Sequence, residues 1–139
     1  MSKILFHTYR PEALPVGLQY EDINRLDTYE DNSLSEIMLA DTLDFYTNDQ
    51  AINLIQKLSA KITKNGSLEI QGTDINQLSL AVINNNIDIN TVNDVLYPMK
   101  KSISTMLDMQ NLLKSYQFTI TQKRYVNLFE YYILAKNEK

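Results

Sequence analysis

A chain of 139 residues, 44% hydrophobic and 22% charged, has the size and composition of one globular domain with its own core. Its net charge of −4 gives no general attraction to nucleic-acid phosphates or anionic membranes, and the lack of cysteine excludes disulfides, thiolate metal sites and cysteine nucleophiles. No apolar run reaches the length of a membrane span and residues 1–7 lack signal-peptide character, so the expectation is a cytoplasmic single domain over 1–139.

Lys3–His7 reads as a short buried strand. Pro11 and Pro15 rule out a long helix after it, because a proline ring clashes with the preceding turn and lacks the N–H a helix needs. Residues 17–23 alternate as a second strand, and 24–33 are polar and turn-like. A third strand covers 35–40 and leads into a short helical segment over 41–46. Thr47 or Asn48 caps the clearest helix, whose apolar residues Ala51, Ile52, Leu54, Ile55, Leu58 and Ile62 recur at helical spacing. Asn65-Gly66 predicts its end near Lys64, and a fourth strand follows over 67–71, closing at Gly72.

A helix over 75–84 has Thr73 or Asp74 as its cap, and the asparagine-rich 84–94 reads as a loop with a short helix from Thr91. Pro98 interrupts the pattern. Residues 102–115 are amphipathic at helical spacing. The runs 118–121 and 128–135, joined by Gln122-Lys123-Arg124, read as an antiparallel pair at a sheet edge. The order β-β-β-α-β-α-α-β-β predicts an α/β fold with a mostly parallel sheet and a C-terminal antiparallel strand pair.

Several segments carry a family likeness. Asp31-Asn32-Ser33, the strand after it, and Leu43-Asp44-Phe45 resemble a passage of small class I S-adenosylmethionine (SAM) methyltransferases, in which the last three residues are Leu-Glu-His. Lys64-Asn65-Gly66 stands where that family has Pro-Gly-Gly, Thr73-Asp74 where it has Pro-Asp, and Leu112-Leu113-Lys114-Ser115-Tyr116-Gln117-Phe118 resembles its L-L-x-x-x-G-F, with Gln117 in place of glycine. The closing Tyr131-Tyr132-Ile133-Leu134-Ala135-Lys136 looks like its last strand. The resemblance implies a three-layer doubly wound sheet of the Rossmann type, reduced by one edge strand and the first helix, with its ligand site beyond the carboxyl ends of the parallel strands.

It also implies a cofactor site. After the family's first strand comes a Gly-x-Gly loop, where backbone must approach SAM closely; here stands His7-Thr8-Tyr9-Arg10-Pro11. By resemblance, His7, Tyr9, Asp22, Asp27, Thr28 and Asp41 would line the cofactor position, with Asp22 toward the ribose and Asp27-Thr28 toward the adenine, and His7, Asp41 and Asp44 are the candidate catalytic residues. No His/Asp/Glu set has metal-ligand spacing. The glycine-free loop leads to the expectation of weak or absent SAM binding and a non-catalytic interaction module, a homodimer or partner of another protein. The alternative is an active methyltransferase on a small molecule or sugar-like acceptor, and a third reading is an unrelated enzyme built around His7.

Overall fold

The computed structural model describes residues 3–96 and 101–139. Strands β1 (Lys3–His7), β2 (Leu18–Asp22), β3 (Leu34–Ala40), β4 (Ile62–Thr73), β5 (Phe118–Tyr125) and β6 (Glu130–Asn137) form one mixed sheet in the order β2-β1-β3-β4-β6-β5. The first four run parallel; β6 is antiparallel to β4 and to β5. Helices α1 (Asn48–Lys61), α2 (Ile75–Ile83), α3 (Ile89–Leu96) and α4 (Met106–Ser115) and two 3-10 turns, Ile23–Thr28 and Thr42–Phe45, complete the fold. The reduced Rossmann-like α/β architecture and the C-terminal antiparallel pair are both present, and β1 and β2 are joined without a helix.

Helix α1 starts where the sequence says it should. Thr47 accepts from the Gln50 N–H while the Gln50 side chain accepts from the Thr47 N–H, a reciprocal cap that satisfies two otherwise orphaned donors. Its end differs from the expectation near Lys64. The helix stops at Lys61 because Ile62 is taken into β4, where it pairs with Leu34, and because Asn32 and Ser33 donate their N–H groups to the last carbonyls of α1 at Ala60 and Lys61, each at 3.0 Å. Asn65-Gly66 therefore lies inside β4, at the register shift against β3, and not at a helix stop. A Cβ on Gly66 would come within 2.6 Å of the Ile62 side chain, so the bulge requires glycine there.

The core lies on one face of the sheet. Phe6, Ile37, Leu39, Leu68, Ile70, Ile133 and Ala135 project from the strands and pack against Leu54, Ile55 and Leu58 of α1 and Met109 and Leu113 of α4. Asn137, fully buried, donates to the Ile62 carbonyl at 3.0 Å and ties the last strand to the α1–β4 junction. The other face carries the alternate residues, of which Met38, Glu69, Tyr132 and Leu134 are half-buried while Leu5 and His7 of β1 are buried. Across it Glu69 receives the Tyr132 hydroxyl and the Lys3 ammonium, and the Arg124 guanidinium lies 4.3 Å over the Tyr132 ring. Burial first, then the bond to Glu69 and its charge, push the Tyr132 phenol up to about 12.

The hairpin also departs from expectation. Lys123 and Arg124 belong to β5, and the turn lies over 126–129, where the Asn127 side chain accepts from the N–H groups of Phe129 and Glu130 at 3.0 and 2.8 Å. Charged residues on an outermost strand discourage pairing with a further chain, which suits Lys123 and Arg124 to that edge.

Candidate functional site

The strand order reverses between β1 and β3, so the switch point where ligands bind in open α/β sheets lies beyond His7 and Ala40. Thr42 fixes this end of the sheet by donating its hydroxyl to the Phe6 carbonyl at 2.7 Å, 36 positions away in sequence. His7 is 3% exposed. Its Nδ1 accepts from the Thr8 N–H at 2.8 Å, and the ring also bonds to the Ala40 backbone. The imidazole also stacks 4.2 Å from the Tyr9 ring and 5.0 Å from the Phe45 ring, while Tyr9 and Phe45 lie 6.0 Å apart. Three rings from two loops therefore close on one another at the switch point.

Glycine is absent from this loop until Gly17, and Gly17 serves the opposite end of the strands. Its carbonyl accepts from Lys3 at the start of β1, and its φ of +85° makes the turn into β2. The backbone beyond β1 is therefore lined by side chains where a glycine loop would leave room for a ligand.

Burial lowers the His7 pKa below its ordinary 6.5, partly opposed by the bond to Ala40. The folded state thus binds a proton less readily than the unfolded chain, so His7 favours folding above about pH 6.5 and that contribution is lost as the pH falls through the depressed value. It is the only histidine. In urea denaturation the stability lead of the native chain over His7→Gln is expected to shrink between about pH 7.5 and 5; a constant lead across that range would refute the assignment.

The remaining candidates divide into groups. Asp22 sits opposite His7 in the β1–β2 register, but its carboxylate accepts from the Asn24 N–H at 2.9 Å and caps the first 3-10 turn. Asp27 lines a separate groove of about 260 Å³ between that turn and α1, and its carboxylate pairs with Lys57 at 3.1 Å. Thr28 donates its hydroxyl to the Arg25 carbonyl at 2.6 Å. The structure thus places His7, Tyr9 and Asp22 at one end of the sheet, pairs Asp27 with α1 and sets Thr28 to local work on the turn.

Asp41 and Asp44 follow β3. Asp41 adopts a left-handed conformation with φ +58°, held by its N–H donating to the Gln71 carbonyl at 2.8 Å. Asp44 is buried, and its backbone carbonyl accepts from Lys101 and Ser102. Both carboxylates act on the buried Tyr131, whose phenol pKa is raised by burial and then by the charge of Asp44, against a lowering bond to Ser104, with Asp41 and Asp74 adding further. Tyr131 and Asp44 line a cleft of about 330 Å³ between the N-terminal ends of α1 and α4. The sequence does not mark Phe45 and Tyr131 as site residues. The one available signal was Phe45 standing in the histidine position of the Leu-Glu-His resemblance. Among the described residues no group of His, Asp and Glu is arranged to hold a metal ion, and no helix is long and apolar enough to cross a membrane.

No family model matches the chain, and no curated protein matches it in sequence. Solved structures do match. A SAM-dependent methyltransferase from Archaeoglobus fulgidus superposes with a TM-score of 0.63 at 12% identity, over 86% of this chain and 66% of that one. A chain of the complex between the Haloferax volcanii Trm112 methyltransferase activator and a methyltransferase gives 0.63 at 4% identity, over 91% and 64%. Magnesium protoporphyrin IX methyltransferase of Synechocystis with bound S-adenosylhomocysteine (SAH) gives 0.58 at 13% identity, over 86% and 50%. The chain thus spans two thirds or less of the length of these structures, and at such identities the likeness is one of fold.

Proposed function

This chain has a reduced class I methyltransferase-like fold, and we propose that it is a non-catalytic form of that fold that does not bind SAM and acts by associating with protein, as a homodimer or with another chain. The observation that carries the reading is the cluster of His7, Tyr9 and Phe45 at the switch point, with ring centroids 4.2–6.0 Å apart. A nucleoside cofactor at that position needs backbone at close approach, and the loop offers ring atoms instead. His7 has its Nδ1 committed to the Thr8 backbone, and Asp22 spends its carboxylate on a cap. The residues present do not fit the cofactor.

The alternative, an active methyltransferase on a small molecule or sugar-like acceptor, draws on Asp44 and the cleft beside Tyr131. Titration calorimetry with SAM and with SAH at millimolar ligand separates the two. The expected result is no binding heat with either; saturable binding of SAH would overturn the non-catalytic reading.

A further inference from the structure

The helical hairpin of α2 and α3 leaves apolar surface uncovered on both of its helices. On α2, Leu78 and Ala81 are buried while Leu80 is 49%, Val82 39% and Ile83 72% exposed, so the helix is apolar on more than the one side it packs. On α3, Ile89, Val92 and Leu96 recur at i, i+3 and i+7, yet no residue of the helix is buried and Ile89 is 66% exposed. A helix of eight residues is not stable in water by propensity alone and needs tertiary packing of its apolar stripe.

Charge selects the occupant. The sequence holds no Lys or Arg from 65 to 99, and between 75 and 96 its charges are Asp88 and Asp94. A lipid-seeking amphipathic surface carries basic residues for anionic headgroups, and this one would be repelled. A partner of strong charge finds nothing to steer toward. What surrounds the apolar side chains is neutral: Asn76, Ser79, Asn84, Asn86, Asn90 and Asn93 are all exposed. Each amide both donates and accepts, so a second copy of the same rim satisfies it. A two-fold interface places one patch against itself, and the absence of opposed like charges at its centre permits that here.

We infer that the α2–α3 hairpin is a homodimer interface, in which two hairpins pack as four helices and bury Leu80, Ile83 and Ile89 of both copies. The inference rests on the reading of the chain as an association module and names the surface used. Asp88 stays at the margin, since its carboxylate already caps α3 through the Thr91 N–H and hydroxyl at 2.8 and 2.9 Å.

The test is sedimentation velocity of the full chain across a wide concentration range. The native chain is expected at twice the 16.1 kDa mass, Ile83→Asp/Ile89→Asp at that single mass with unchanged far-UV circular dichroism, and Val16→Asp, at a residue outside the hairpin, still dimeric. A native chain that stays monomeric, or a folded double variant that stays dimeric, overturns the inference. So does a monomer that floats with vesicles of neutral or anionic lipid, or one that forms a defined complex with a different protein.

Should the double variant fail to fold, the lack of native cysteine allows a single label. Ser79→Cys is expected to cross-link between copies with a short bis-maleimide and Val16→Cys is not; equal yields overturn the assignment. A dimer that binds SAH defeats the non-catalytic reading alone, and a monomer that binds no SAH defeats this inference alone.

Discussion

Replacing Asp74 by alanine is expected to destabilise the fold by about 3–5 kcal/mol, a loss on the scale of removing one partner from a buried charged hydrogen-bond network. The side chain is 2% exposed and spends both oxygens on four donors. One oxygen accepts from the N–H groups of Asn76 and Gln77, at 2.9 and 3.1 Å, and so caps α2. The other accepts from the Met106 N–H at 2.9 Å, at the start of α4, and from the Tyr125 hydroxyl at 3.0 Å, at the end of β5. Two helix N-termini, each with partial positive charge, thus converge on one carboxylate. Alanine leaves three backbone donors and a phenol without that partner.

Asp74→Asn keeps an acceptor for only one of the two pairs and is expected to lose about half as much. Tyr125→Phe removes one bond from a 41% exposed ring and is expected to cost about 1 kcal/mol. Urea denaturation of the three variants gives the ranking; a loss below about 1 kcal/mol for Asp74→Ala would reduce the residue to an ordinary surface cap.

Part of this was legible in the sequence. Asp74 ahead of an apolar periodic run announces a cap because short carboxylate side chains reach the N–H groups two and three residues on, a local relation. Its second oxygen serves residues 32 and 51 positions away, and no local pattern encodes what tertiary folding brings near. The same division runs through the chain. The buried stripe of α1 follows from periodicity, whereas its end is decided by Ile62 pairing with Leu34 and by Asn32 and Ser33 reaching its carbonyls.

Lys123 and Arg124 suggested a turn by their polarity, yet Asn127 supplies the turn and the basic pair occupies an outermost strand, where Arg124 covers Tyr132. His7 and Tyr9 were legible as standing where the resemblance expects a glycine loop because they lie at and just beyond the end of the first strand. Phe45 was not, since it arrives through the neighbouring parallel strand, held there by Thr42 on the Phe6 carbonyl. Gln117 illustrates the converse case. The resemblance expects glycine, and the residue does take a left-handed φ of +66° after α4, the conformation that favours glycine.

Gly72→Ala is expected to cost about 2–3 kcal/mol, near the top of the range for forcing one methyl group into a packed interior. Gly72 faces Tyr131 directly across the β4–β6 ladder. A Cβ there would lie 2.7 Å from the Tyr131 hydroxyl oxygen, 2.9 Å from Cζ and 3.2 Å from Cε1, so the ring rests over the bare backbone. The ring has little room to retreat: it is 2% exposed, and its hydroxyl bonds to Ser104. Gly17 is the glycine with positive φ, so lost backbone freedom is not the cause at position 72. That separation makes the mechanism testable by a double-mutant cycle. Tyr131→Phe removes the nearest atom but leaves the contact at Cζ, and should relieve the penalty only in part. Tyr131→Leu, itself destabilising through lost packing, clears the space, and Gly72→Ala in that background is expected to cost less than about 1 kcal/mol. An equal penalty in both backgrounds would place the strain elsewhere in β4. Because Tyr131 also lines the cleft beside Asp44, displacing its ring by Gly72→Ala would disturb the carboxyl edge of the sheet from beneath. Such a variant would separate the stability of that edge from the switch point beside it.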